Sequence, residues 1–260
     1  MEAPLQNLSL QIDRGVATVT IDRPPVNALD SATLDEITAL FRDINENRDI
    51  RAVVLTAAGT RAFIAGADLK DVRTTAEGRP KPTDPGLQGR SALEAVWNCA
   101  VPVIVAVNGP AIGGGVSFVS MCDVIFAAPE ATFSAPEINV GLLGGCAHLA
   151  RLVGTFQARR MYLTGDSISA RALFEQGVIT RIVPRDSLLA DAQAFAQDLA
   201  KKSPVALRLA KEVMGRIEGL PVTTAYRLEQ DYTTRLLTFE DAAEARTAFL
   251  EKRAPEWKLR

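Results

Sequence analysis

Aromatic residues are scarce, at 6%, and a single histidine stands in the chain. No His/Asp/Glu cluster with metal-ligand spacing accompanies it, so a metal centre is not expected. The three cysteines, Cys99, Cys122 and Cys146, form no C-x-x-C pair. That argues against a zinc ribbon or a disulfide framework, and fits structural thiols in a reducing cytoplasm. Charge of one sign is also lacking: 29 basic against 31 acidic residues leave a formal net charge of −2. Such a chain has no overall field to draw it to nucleic acid or an anionic membrane. Long apolar runs are missing too. The stretch 101–128 is broken by Asn108, Pro110, the run Gly113–Gly115 and Asp123, so it reads as strand, turn, helix and strand rather than a membrane span. The opening MEAPLQNLSLQID has no basic n-region or apolar h-region, so no secretion signal is expected.

Against these absences stands an ordinary globular content, 47% hydrophobic and 23% charged over 260 residues. Segments 7–12 and 15–21 predict two antiparallel strands turning at Arg14-Gly15. Ser31 is read as the N-cap of an amphipathic helix with Leu34, Ile37, Leu40, Phe41 and Ile44 on one face. A buried strand, 51–57, follows, and strand–helix–strand order implies an α/β core. The unit recurs as a helix over 91–98, a strand at 102–108, a glycine turn, a helix, and a strand at 123–128. The Pro- and Gly-rich segment 78–89 is expected to be a mobile surface loop. Beyond about residue 155 strands nearly stop. Ser203-Pro204 signals a helix start, and helices are expected over 204–217, 221–236 and 239–252. The division expected is a core over 1–200 and a helical region over 201–260 that packs on the core or on a partner subunit.

Two segments draw attention as sites. In Ala62–Lys70, the small residues 65–67 follow a short apolar strand and lead toward a helix. In Asn108–Ser117 a strand ends, three glycines turn the chain, and a helix begins. Both patterns present backbone N–H groups that no side chain obstructs. Neither is a phosphate-binding fingerprint, because the G-x-x-x-x-G-K-[ST] and G-x-G-x-x-G spacings are absent.

The ordered series IDRPPVNAL (21–29), AFIAGADLK (62–70), PVIVAVNGPAIGGG (102–115), MCDVIFAAPEATFSAPEINVGL (121–142), LTGDSISARAL (163–173) and AFLEKRAPEWK (248–258) resembles the crotonase, or enoyl-CoA hydratase/isomerase, superfamily. The resemblance covers nearly the whole chain. It implies a crotonase-like α/β spiral of ββα units with a C-terminal helical trimerisation module, the trimers often pairing into hexamers. It implies an acyl-CoA thioester substrate, with no cofactor beyond the coenzyme A it carries. The thioester oxygen would lie between the backbone N–H groups of Ala67 and Gly114. Donors fixed there favour the transition state as negative charge develops on that oxygen. Ala65, Asp68, Leu69, Lys70 and Ser117 would line the substrate and CoA site, and Phe249 and Lys252 would reach a neighbouring subunit's CoA.

A hydratase of this family resembles a machine of two glutamates that hold and ionise one water. Glu137, in Ser134-Ala135-Pro136-Glu137, matches the second; Ser117 stands at the first. Serine does not act unaided as a base near neutral pH. The pattern therefore favours, slightly, a single-glutamate Δ3,Δ2-enoyl-CoA isomerase over a 2-enoyl-CoA hydratase. Decarboxylation or C–C hydrolysis of a thioester, or acyl-CoA binding without catalysis, are the alternatives. Asp68 and His148 are the other polar groups considered as replacements for the missing carboxylate. The stretch 141–154 is shorter than in typical hydratases, so a branched or cyclic acyl group becomes conceivable.

Overall fold

The computed structural model describes residues 5–70, 84 and 86–258. The chain opens with β1 (Leu8–Asp13) and β2 (Val16–Ile21), an antiparallel pair turning through Arg14 and Gly15, both at positive φ. Helix α1 (Ser31–Glu46) leads to β3 (Ala52–Ala57), and α2 (Leu87–Trp97) leads to β4 (Val103–Val107). Then come β5 (Ala111–Ile112), α3 (Gly114–Ser120), β6 (Val124–Ala127) and β7 (Thr132–Ser134). A short 3₁₀ helix (Glu137–Val140) precedes α4 (Cys146–Val153), α5 (Thr155–Thr164), β8 (Ser167–Ser169), α6 (Ala170–Glu175), β9 (Arg181–Ile182) and α7 (Arg185–Ala200). Helices α8 (Pro204–Ile217), α9 (Val222–Leu236) and α10 (Glu240–Glu251) close the chain.

Six strands form one sheet in the order β1-β2-β3-β4-β6-β9, parallel from β2 onward. A smaller sheet, β5-β7-β8, stands apart. The apolar runs of β3 and β4 follow from burial on both faces. Val53, Leu55, Val103, Val105 and Val107 enter the core beneath α1, α2 and α3. The alternate residues Ala52, Val54, Ile104 and Ala106 meet Leu188, Ala192 and Ala196 of α7 on the other face.

Several expected boundaries shift. Asp30, not Ser31, caps α1: its carboxylate accepts from the Thr33 N–H at 2.9 Å, and Ser31 is the first helical residue. Helix α2 begins at Leu87, inside the segment read as loop, because polar Gln88 and Gly89 hide its start. The remainder of that segment, 78–83 and 85, lies outside the described residues. Past residue 155, β8 and β9 were not anticipated, since strands of two or three residues carry no periodicity to read. The start of α8 matches its signal: Ser203 Oγ accepts from the Ala206 N–H, with Pro204 in the first turn.

The C-terminal helices have a small core of their own, Leu209, Val213 and Tyr232. Helix α8 is fastened to the main core by Lys211, whose ammonium lies 2.6 Å from Asp123 Oδ1 with its side chain only 6% exposed. The second Asp123 oxygen accepts from the Val103 N–H at the head of β4. The Asp123 side chain is 18% exposed, so loss of the ammonium removes a charge-assisted hydrogen bond and does not strand a fully buried charge. Lys211→Met is therefore expected to lower unfolding free energy by about 1.5–3 kcal/mol, measured by urea titration followed by circular dichroism.

Candidate active site

The fold presses the two glycine turns face to face. Ile64 bridges Ala111, and its carbonyl accepts from the Ile112 N–H at 2.9 Å. A Cβ on Gly66 would stand 3.2 Å from the Ile112 carbonyl oxygen. A Cβ on Gly115 would stand 2.5 Å from the Ile64 carbonyl oxygen. Only glycine permits that approach at Gly115, since real Cβ atoms essentially never come so near. Leu29 joins the two turns: its N–H donates to Gly66 O, its carbonyl accepts from the Asp68 N–H, and its side chain touches Gly114. That bridge leaves the Ala67 N–H directed away from Leu29. Gly114 is the first residue of α3, so its N–H has no acceptor within the helix. Neither N–H has an acceptor among the described residues.

Glu137 comes to the same place from the small sheet. Ile112 pairs with Ser134, and the Gly113 N–H donates to Ser134 O at 2.8 Å. The chain then passes through Ala135-Pro136 and sets the Glu137 carboxylate against the glycine turn. Its Oε1 would lie 2.6 Å from a Cβ on Gly113, a residue also at φ +54°. Its Oε2 is buried without a hydrogen-bond partner among the described residues. Burial raises the Glu137 pKa above the ordinary carboxylate value. A carboxyl so tuned holds a proton more readily than an ordinary one, which suits it to taking and returning a proton.

The other expected residues fall into two groups. Ser117 is buried on α3, one turn beyond Gly114, and its Oγ faces Gly145, where a Cβ would lie 3.0 Å away. Gly144 lies on the Glu137 side of the same loop, and its N–H donates to Tyr162 Oη at 2.8 Å. Ala65 is half-buried, with its N–H donating to Val26 O; Leu69 and Lys70 are exposed. Phe249 and Lys252 lie at the exposed end of α10. No hydrogen bond or ion pair joins either of them to the turns among the described residues.

Asp68 takes a different task from that of a substitute base. Its carboxylate is 2.7 Å from Arg23, which also holds Asp30 at 2.9 Å and donates to Ala28 O. The Arg23 hydrogen bond, followed by the bond from the Lys70 N–H, holds the Asp68 pKa below the usual carboxylate range, so it is a poor proton acceptor. The pair instead pins the Ala67 turn to the start of α1. Asp68→Asn is expected to lower kcat/KM by less than tenfold, against the much larger loss on removing a group that carries the proton, as steady-state kinetics would measure. Arg23 stood in the quoted motif, yet nothing in its spacing showed that it would hold two carboxylates.

His148 is half-buried on α4, with its Nδ1 unpartnered among the described residues. Burial, and then the charge of Arg151, push its pKa below the usual histidine range, so it is neutral near pH 7. Among the described residues no group of three or more His, Cys, Asp or Glu could hold a metal ion. A separate cleft of 560 Å³, lined by Asn45, Trp97, Arg208 and Lys211 among others, contains none of the turn residues and belongs to the seam between α8 and the core.

The pattern that defines the enoyl-CoA hydratase/isomerase family matches residues 11–260. The chain belongs to that family. A (7aS)-7a-methyl-1,5-dioxo-2,3,5,6,7,7a-hexahydro-1H-indene-carboxyl-CoA hydrolase from Rhodococcus jostii RHA1 is 40% identical over 241 residues, 93% of each chain. A short-chain-enoyl-CoA hydratase from Clostridium acetobutylicum is 34% identical, covering 97% of both chains. A crystal structure of an enoyl-CoA hydratase from Bacillus anthracis superposes with a TM-score of 0.91 at 32% identity, covering 98% of this chain and all of the other. The crotonase-like α/β architecture and an enzyme fold acting on acyl-CoA thioesters are therefore established for this family member, as the motif series implied.

Proposed function

We propose that the chain hydrolyses a carbon–carbon bond of a cyclic acyl-CoA whose ring carries a ketone β to the thioester. The observation that carries this reading is that Glu137 is the one carboxylate among the described residues set against the glycine turn, with Ser117 where a hydratase would place its first glutamate. The relative from R. jostii, a hydrolase of a ring diketone carboxyl-CoA, supports hydrolysis of a ring-ketone thioester. Glu137 takes a proton from water as the oxygen adds to the ring ketone. The ring carbon–carbon bond then breaks, and its electron pair passes to the thioester oxygen as an enolate. The Ala67 and Gly114 N–H groups hold that oxygen, and a fixed oxyanion donor of this kind contributes about 3–4 kcal/mol. Glu137 returns its proton to the α-carbon, so water ends divided between the new carboxylic acid and the new C–H bond.

On this reading Ala65, Leu69 and Lys70 line the CoA path. Phe249 and Lys252 serve a neighbouring subunit of a homotrimer or a pair of trimers. The exposed apolar residues Met214, Val222, Tyr226 and Leu250 of the last helices supply surface for that assembly. A second reading, Δ3,Δ2-enoyl-CoA isomerisation, is favoured by Ser117, because one glutamate suffices to move a proton between two carbons.

Proton NMR and mass spectrometry with 2-oxocyclohexane-carboxyl-CoA, trans-3-hexenoyl-CoA and crotonyl-CoA separate the readings. Gain of one water with ring opening supports the hydrolase. Conversion of only the 3-enoyl ester assigns the isomerase, and hydration of crotonyl-CoA sinks both.

A further inference from the structure

Three side-chain atoms are buried without a partner among the described residues: Asn108 Oδ1, Glu137 Oε2 and His148 Nδ1. Asn108 has a structural task through its other amide atom, since Nδ2 donates to Ala57 O and Gly59 O and fixes the exit of β3. Glu137 is the proton carrier. His148 has no task yet.

Its place follows from helical spacing. Gly145, the N-cap of α4, and His148 and Arg151 within it stand three residues apart, so His148 lies between the other two around the helix. Gly145 meets Ser117 Oγ, and Arg151 donates to Ser120 O. Ser117 and Ser120 are themselves three apart on α3. His148 therefore lies at the seam of α3 and α4, between a contact to Ser117 and a contact to Ser120. The Arg151 guanidinium is engaged there and with Glu218.

Resting on the one-carboxylate reading above, we propose that His148 is a positioning residue for Ser117: its Nδ1 accepts the Ser117 Oγ–H when an acyl-CoA is bound. A serine hydroxyl is donor and acceptor and rotates freely. Once its proton is committed to the imidazole, the Oγ lone pairs face the pocket. The reacting water then donates one O–H to Ser117 Oγ and gives its other proton to Glu137. The water oxygen bonds to the ring ketone carbon, and His148 neither gains nor loses a proton in the cycle. The place of the missing glutamate is thus filled by a serine held in one orientation. The neutral imidazole that this requires is the form favoured by burial beside Arg151.

The single histidine makes the test direct, since the imidazole signals of ¹⁵N-histidine-labelled protein report on one residue. Spectra are taken with acetonyl-CoA, which cannot be hydrolysed, bound to the wild type and to Ser117→Ala. The expected result is an unprotonated Nδ1 whose resonance moves on loss of the serine. A protonated Nδ1, or a resonance indifferent to Ser117→Ala, overturns the proposal.

Kinetics give the second arm. Ser117→Ala and His148→Ala should each lower kcat roughly ten- to a hundredfold, the size expected for one buried hydrogen bond left unmade. The double variant should be no slower than either, because the two act as one unit. His148→Gln, which keeps an acceptor, should recover most of the rate at an unchanged melting temperature. Additive losses, or no recovery by glutamine in a folded protein, contradict the link. A wild type silent toward the ring substrate removes the hydrolase reading instead, and the imidazole resonance still decides whether His148 holds Ser117.

Discussion

Glu137→Gln should abolish turnover and, at neutral pH, leave a protein more stable than the wild type. The loss of rate expected for the acid–base group is roughly 10²–10⁴-fold, read from single-turnover kinetics with CoA-ester affinity measured alongside. Affinity should survive, because on the proposed reading the thioester is held by backbone N–H groups and not by this carboxylate. The gain in stability follows from burial, which raises the folded-state pKa above the ordinary value of 4.5. Below that value folded and unfolded chains both carry a neutral carboxyl, and the substitution is nearly silent. As pH rises past it, the unfolded chain ionises first. The fold must then either keep the proton or bear a poorly solvated charge, and wild-type stability falls through the folded pKa. Glutamine escapes that cost. Melting curves of the two proteins should therefore diverge as pH rises from 4 to 8, with the variant on top. For the same reason wild-type kcat/KM should rise with pH through the folded Glu137 pKa, above the usual carboxylate range.

Gly115→Ala should damage fold and activity together. The added Cβ would stand 2.5 Å from the Ile64 carbonyl oxygen and 3.0 Å from the Ile64 Cβ. Backbone must move, not the free end of a flexible side chain. Overpacking of this kind costs about 1–3 kcal/mol, and here the atoms displaced belong to the turn that carries Ala67. The Ile64–Ile112 hydrogen bond is the first to lengthen. A shift of one oxyanion donor by about 1 Å is enough to lower the rate by roughly a hundredfold, so kcat should fall even in molecules that remain folded. Gly89→Ala is the natural control. That helical glycine has open space where its Cβ would go, and the change should be neutral or stabilising by up to about 1 kcal/mol. Differential scanning calorimetry and steady-state kinetics on both variants check the pair.

What the sequence disclosed depended on how local the cause was. Ser203-Pro204 announces α8 because a cap and a fixed φ act within one turn. The apolar runs of β3 and β4 announce a doubly covered sheet because alternate residues must all be buried. The glycine run at 113–115 announces a turn before a helix start, and the family resemblance implied a use for the Gly114 N–H. Other features were hidden because they arise between distant segments. Leu29 looks like one more apolar residue, yet it is the piece that joins the Gly66 and Gly114 turns. Arg23 looks like a surface cation, yet it clamps Asp30 and Asp68. The strain-free approach of Gly115 to Ile64, and the unpartnered oxygen of Glu137, exist only once the two sheets are assembled. β8 and β9 were missed since each is too short to alternate, and Asp30 displaced Ser31 as a cap because both residue types suit the position equally well.

The measurement that reaches the heart of the site is exchange of the α-protons of a saturated acyl-CoA in deuterated buffer, followed by proton NMR. If the Ala67 and Gly114 N–H groups stabilise an enolate and Glu137 carries its proton, the wild type should replace α-hydrogen by deuterium. Glu137→Gln should bind the same ester and leave its protons in place. Exchange that persists in Glu137→Gln, or a wild type that binds the ester without exchanging it, would contradict enolate chemistry carried by this carboxylate.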